Sequence, residues 1–213
     1  MMRAIKWVIV LQIALASSAF ASDEYWGIYQ FKKEMSESNF VFTEYVRRDL
    51  SGLFKEKNLD LLRLSYGGKL GDWTYLVGAA YVNFELSSDE RRLHQFFIKN
   101  TNHSPNISSS IRLGLEQRSF ISDDELYWRA RVRGQLNLPL LYWVGFSLYD
   151  EMLFALNGQN KFYQGLNENR FGVGFRYKAE TYEILIFQTY AKLKTLKTES
   201  SPQWLQLQTI FTF

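Results

Sequence analysis

The chain has 213 residues, 46% of them hydrophobic and 17% aromatic, with 13 Gly, 3 Pro, no Cys and a formal net charge of +3. That composition excludes a disordered or collagen-like chain, which would carry few rings or far more Pro and Gly, and a disulfide scaffold, which needs cysteines. A mean hydropathy of −0.23 and 25 basic against 22 acidic residues, scattered along the chain, argue against a helical membrane protein, yet so many rings are unusual for a soluble domain.

The first segment, Met1–Ala21, reads as a secretory signal. Arg3 and Lys6 form a basic start, Trp7–Ala16 an apolar run and Ala19-Phe20-Ala21 a small-x-small cleavage site. The run is shorter than the ~20 residues of a spanning helix, which disfavours an N-terminal membrane anchor. Cleavage would leave one domain over residues 22–213 and remove two of the 25 basic side chains, so the exported part stands at about +1. Such balance excludes nucleic-acid binding through a basic surface. Without cysteine there is no thiol or Cys-type zinc chemistry, and two histidines without a surrounding carboxylate cluster give no reason to expect a metal or any other cofactor.

From Tyr25 onward the period is two. Candidate strands are Tyr25–Lys32, Phe40–Arg48, Leu59–Tyr66, Trp73–Phe84, Glu90–Asn100, Asn106–Phe120, Glu125–Leu136, Tyr142–Ala155, Asn169–Tyr177, Tyr182–Ala191 and Gln203–Phe213. In Asn106–Phe120, Ile111, Leu113 and Leu115 alternate with Arg112, Gly114, Glu116 and Arg118. Glu125–Leu136 sets Trp128, Ala130 and Val132 against Arg129, Arg131 and Arg133, and Asn169–Tyr177 sets Phe171, Val173 and Phe175 against Arg170, Gly172, Gly174 and Arg176. In Glu90–Asn100 neither parity separates cleanly. Gly134–Tyr149 is uncharged but contains Gln135, Asn137, Pro139 and Gly145, too interrupted for a membrane helix.

Alternation alone fits a soluble periplasmic β-sandwich binding module as well as a membrane barrel, so the distribution of rings has to decide. Tyr66, Trp73, Tyr142, Trp143, Tyr177 and Tyr182 stand at one set of strand ends. Phe84, Phe120, Tyr127, Trp128, Phe154, Tyr190 and Trp204 stand at the other, which is the girdle pattern of a barrel. The last strand alternates Leu205, Leu207, Thr209, Phe211 and Phe213, and it resembles the C-terminal signal that barrel-assembly machinery reads in bacterial outer-membrane proteins, with Leu207, Phe211 and Phe213 carrying it. The expected fold is therefore all-β, an antiparallel transmembrane β-barrel of about 10–12 strands in the bacterial outer membrane. With Phe213 periplasmic, Ala179–Thr181, Asn137–Leu141, Asn100–Asn106 and Gly67–Asp72 are periplasmic and the longer connections extracellular. Tyr25–Lys32 is then left over as a strand that starts on the wrong side, so ten strands plus an N-terminal segment, or twelve, are expected from the even-number rule.

Several stretches resemble the family known as domain of unknown function 2490: Glu90-Arg91-Arg92-Leu93-His94-Gln95, Arg112-Leu113-Gly114-Leu115-Glu116-Gln117-Arg118, Tyr149-Asp150-Glu151 with Leu156-Asn157, and Asn167 through Phe175. The resemblance implies an outer-membrane barrel and defines no activity.

The charged parity of the strands would project Glu44, Arg112, Glu116, Arg118, Arg129, Arg131, Arg133, Glu151, Arg170 and Arg176 into the lumen as an ionic network. Glu116 has Arg112 and Arg118 within reach on its own strand, and the near-neutral chain charge is what an enclosed ionic interior would require. The network either rigidifies a nearly plugged barrel, an envelope structural component, or forms a constriction that passes small anions. A lipid-modifying enzyme is the competing class; it would need a serine and a histidine base held together, and His103-Ser104 and His94 are the material for it. Expected partners are outer-membrane lipids and lipopolysaccharide, the latter near Lys192, Lys194 and Lys197, with no oligomeric state specified.

Overall fold

The computed structural model describes residues 24–50, 59–84, 88–104, 107–122, 125–141, 143–157, 164–194 and 199–213; the expected signal Met1–Ala21 lies outside them. Among the described residues every regular element is a strand: β1 (Glu24–Glu34), β2 (Asn39–Leu50), β3 (Leu59–Leu70), β4 (Trp73–Phe84), β5 (Glu90–Ser104), β6 (Ile107–Phe120), β7 (Leu126–Pro139), β8 (Val144–Ala155), β9 (Gly165–Lys178), β10 (Tyr182–Lys194), the two-residue β11 (Glu199–Ser200) and β12 (Gln203–Thr212).

Strands β1 to β10 each pair antiparallel with the next, and β12 inserts between β10 and β1 to close the barrel. β11 only extends the end of β10, at Leu193↔Ser200 and Lys194↔Glu199. Among the described residues the wall therefore has eleven long strands, neither ten nor twelve. An odd number cannot alternate all the way round, and the mismatch is absorbed at one seam: β1 runs parallel to β12 from Glu24↔Trp204 to Lys32↔Thr212. The strand that starts on the wrong side for an antiparallel neighbour is thus the strand that closes the wall. Its end is tied by the Phe213 amide donating to the Lys32 carbonyl at 3.0 Å and the Glu34 amide donating to the Phe213 carbonyl at 3.1 Å.

One end of the barrel gathers the short turns and Phe213, the other the longer connections and Glu24. At the short end, Gly71 takes φ +59° in the two-residue turn before Trp73, a left-handed conformation that tight hairpins require and side chains resist.

Strand parity sorts the side chains into two faces. Leu62, Leu64, Ile111, Leu113, Val132, Phe171 and Phe175 stand exposed on the outside of the wall. Rings at the short-turn end, among them Tyr66 and Trp143, also face out; Tyr142 lies outside the described residues. At the other end the expected girdle splits. Tyr190 and Trp128 keep outward parity, but Tyr127 and Trp204 are buried inside, Phe120 packs edge-on against Tyr127, and Phe84 joins an internal cluster. Position near a strand end had placed these rings; parity decides which way they point.

The interior is filled at the long-connection end. Ile28, Val46, Leu61, Ala80 and Val82 from β1 to β4 form an apolar core inside the lumen, with Trp26, Leu59 and Phe84 against it. On the β5 to β9 side the filling is ionic.

Candidate functional site

Consecutive inward positions on β5 to β9 bring guanidinium and carboxylate groups to the middle of the barrel. Glu116 on β6 lies directly opposite Arg129 on β7. Its Oε2 accepts from Arg129 Nε at 2.8 Å and from Nη2 of the same group, and its Oε1 accepts from Arg131 Nη1 at 2.8 Å, with Arg63 Nη2 at 3.9 Å. Glu151 on β8 holds Arg112 and Arg131 on one oxygen, at 2.7 and 2.8 Å, and Arg170 on the other at 3.6 Å. Arg170 also pairs with Glu168. Arg63 reaches Glu44 at 2.6 Å, and Gln30 donates to the same carboxylate.

Beside this layer, Glu90 takes Arg92 at 2.7 and 2.8 Å and Arg118 at 2.5 and 3.0 Å. Arg176 pairs with Glu183 at 2.7 and 2.8 Å, and Arg48 with Glu24 at 2.8 and 2.6 Å.

The expected partnership of Glu116 with Arg112 and Arg118 on its own strand is replaced by pairing across strands. Along its own strand Arg118 is two residues from Glu116, about 7 Å, and Arg112 four residues, about 13 Å, whereas residues directly opposite on adjacent strands are about 5 Å apart. Arg112 accordingly serves Glu151 and Arg118 serves Glu90.

The layer is not charge-balanced. Arg63, Arg92, Arg112, Arg118, Arg129, Arg131, Arg133 and Arg170 face only Glu44, Glu90, Glu116, Glu151 and Glu168 in this set. The near-neutral chain charge therefore does not describe the interior, whose excess of guanidinium is offset by acids elsewhere. Arg133 is the extreme case. It stacks 4.0 Å over the Tyr149 ring and donates to the Gln135 amide oxygen at 3.0 Å, and no carboxylate pairs with it among the described residues.

The carboxylates of this layer are shielded from solvent: Glu90 and Glu116 are 0% exposed and Glu151 2%. Toward the short turns the lumen opens into a vestibule of about 710 Å³. Phe40, Leu76 and Phe96, with Phe42 and Ile98 against them, make one wall. Arg63, Arg112 and Arg133 border its inner end.

His94 is an inward residue of β5. Its Nε2 meets Ser65 Oγ at 2.8 Å, bridging over Gly78 on the intervening strand β4, and its ring stacks on Phe96 at 5.1 Å. The buried Nδ1 has no hydrogen-bond partner, so the pair lacks the acceptor that orients a catalytic imidazole. His103 Nε2 meets Ser109 Oγ at 2.7 Å, in an exposed position.

A family model described as "Protein of unknown function (DUF2490)" matches residues 23–185. The chain belongs to that family. No functionally curated protein matches. Among solved structures the barrel is similar to a NanC porin in a rhombohedral crystal form, with a TM-score of 0.53 and 13% identity over 89% of this chain and 99% of that one. At that identity the likeness is one of fold.

The stretches that carry the DUF2490 resemblance contribute much of the ionic layer: Glu90, Arg92 and His94 on β5, Arg112, Glu116 and Arg118 on β6, Glu151 on β8, and Glu168 and Arg170 on β9 all have inward parity. Sequence reasoning missed Arg63, Glu90, Arg92 and Glu168. On β5 both parities mix arginine with apolar residues, so the faces are legible only through the register with β6, which sets Arg92 opposite Arg118.

Proposed function

We propose that this DUF2490 protein is a bacterial outer-membrane barrel, exported by Met1–Ala21, whose lumen is closed at its middle, and that it serves as an envelope component that blocks free passage of solutes. The burial of Glu116 and Glu151 in the centre of the lumen carries this reading, since side chains lining a water-filled channel would be exposed. The outward apolar face supports a lipid setting, and the porin-like fold supports the envelope. In this orientation Phe213 and the short turns are periplasmic, Leu207 and Phe211 stand on the outward parity of β12 for the assembly machinery, and the end of β10 meets lipopolysaccharide. Lys192 there is held by Glu199 at 2.7 Å.

Planar-bilayer recording tests the reading. The refolded protein is expected to be silent, and the Glu116→Ala/Arg131→Ala variant, which removes the central pair, to open. Steady anion-selective openings of the wild type that vanish in Arg131→Ala would make it a narrow passive channel instead.

A further inference from the structure

The vestibule combines two chemistries that the closed middle does not explain. At its inner end Arg112 and Arg133 sit directly opposite each other on β6 and β7. Two guanidinium groups side by side repel unless acceptors intervene, and acceptors here are short. Arg112 shares the single Glu151 with Arg131 and Arg170, and its buried Nε has no partner. Arg133 has an amide oxygen and a ring. Of the other carboxylates that line the vestibule, Glu44 is committed to Arg63 and Glu183 to Arg176.

Directly against this cationic end stands the apolar wall. Ile98 is the register neighbour of Arg112, and the Arg112 guanidinium lies 5.4 Å over the ring of Phe96. Phe40 and Leu76 continue that surface. Water in the vestibule would solvate the guanidinium groups but gain nothing from the wall.

The geometry points to a binding site for a small amphiphilic anion, a carboxylate with an aromatic or aliphatic body. The carboxylate lies between Arg112 and Arg133, taking charge-assisted hydrogen bonds from both, and the body lies along Ile98, Leu76 and Phe40. The volume is in the range of small-molecule sites, and charge complementarity at the inner end sets the ligand's direction, head inward. The site does not depend on whether the middle of the barrel conducts, so the two readings can fail separately.

The test is calorimetric titration of the full barrel in nanodiscs of neutral lipid, with empty discs subtracted. The probes are 4-phenylbutanoate, 4-phenylbutanol, which has the same body without charge, and acetate, which has the charge without the body. The phenylbutanoate is expected to bind and the other two to bind at least about tenfold more weakly, because charge-assisted hydrogen bonds and burial of the body each contribute that much. Arg112→Gln/Arg133→Gln is expected to bring phenylbutanoate down to the level of the alcohol, and Ile98→Asn to weaken it while leaving acetate unchanged. Heat-modifiable gel mobility certifies that each variant is folded. Equal binding of acid and alcohol by the wild type, no binding of the acid, or binding that survives Arg112→Gln/Arg133→Gln would overturn the site.

Discussion

Trp26 and Trp204 stack across the parallel seam with ring centroids 5.0 Å apart and planes 12° from parallel. Arg170 lies over both rings, at 5.5 and 5.6 Å, tying the seam to the ionic layer on the opposite wall. A parallel pair is less stable per residue than an antiparallel one, so the closing strands depend on what packs behind them. Trp204→Ala is expected to cost about 3–5 kcal/mol, as for a fully packed ring. The Phe31 and Phe211 rings stack across the same seam on its outer side, 5.2 Å apart, and Phe31 is exposed. Phe31→Ala should therefore cost less than half as much. Reversible urea unfolding in lipid vesicles reads both.

Three guanidinium groups converge on Glu151. Glu151→Gln keeps the shape and removes the charge, leaving Arg112, Arg131 and Arg170 facing a neutral amide in a site that water does not reach. Breaking one partner of such a buried set costs about 3–5 kcal/mol, and the urea midpoint should fall accordingly. Glu199→Gln breaks the exposed pair with Lys192 and should leave the midpoint unchanged.

Asp89, in the connection between β4 and β5, accepts from the Tyr81 hydroxyl, from the Asn83 amide at 3.2 Å and from the Phe84 backbone amide at 3.2 Å. The Tyr81 hydrogen bond, with Phe84 and Asn83 adding to it, holds this carboxyl below its ordinary value. A depressed carboxylate contributes its tether above the unfolded value of about 4 and loses it as pH falls through the lower folded value. Hydrogen exchange at the Phe84 amide should show protection that is flat at neutral pH and drops only below that range. Asp89→Asn should remove the pH step.

Much of this was legible in the sequence because alternation survives translation into a wall. Arg129, Arg131 and Arg133 share one parity against Trp128, Ala130 and Val132, and that pattern alone puts the arginines inside. Pairing was less legible. Glu116 has arginines at two positions along its own strand, and only the register that sets it beside β7 shows that Arg129 and Arg131 win. The parallel seam was hidden for a related reason: turn lengths report antiparallel neighbours, and the β1 and β12 pair has no turn between its members. The apolar core inside the lumen was also hidden. Leu61 and Leu62 read alike in sequence, and only closure of the barrel makes one interior and the other outer surface.

Gly78 gives the sharpest test of the wall itself. It sits between Ser65 and His94 in one register row across β3, β4 and β5, on the inward face. A Cβ there would lie 2.1 Å from the Leu64 carbonyl oxygen and 2.7 Å from the Ser65 Cα, and both are backbone atoms that cannot swing aside. Gly78→Ala must therefore push β3 and β4 apart, and the 2.8 Å bridge from Ser65 to His94 that passes over the glycine goes with it. Gly134, on the outward face of β7, has nothing within 4 Å of its Cβ position. The same substitution there adds only a methyl to the outer surface and relieves the backbone entropy cost of a strand glycine. Gly78→Ala is expected to refold poorly and to lose about 1–3 kcal/mol or more where it does refold, whereas Gly134→Ala should be neutral or slightly stabilising. Refolding yield by heat-modifiable mobility and the urea midpoint measure both. Equal behaviour of the two variants would mean that β3 and β4 are not held at this spacing.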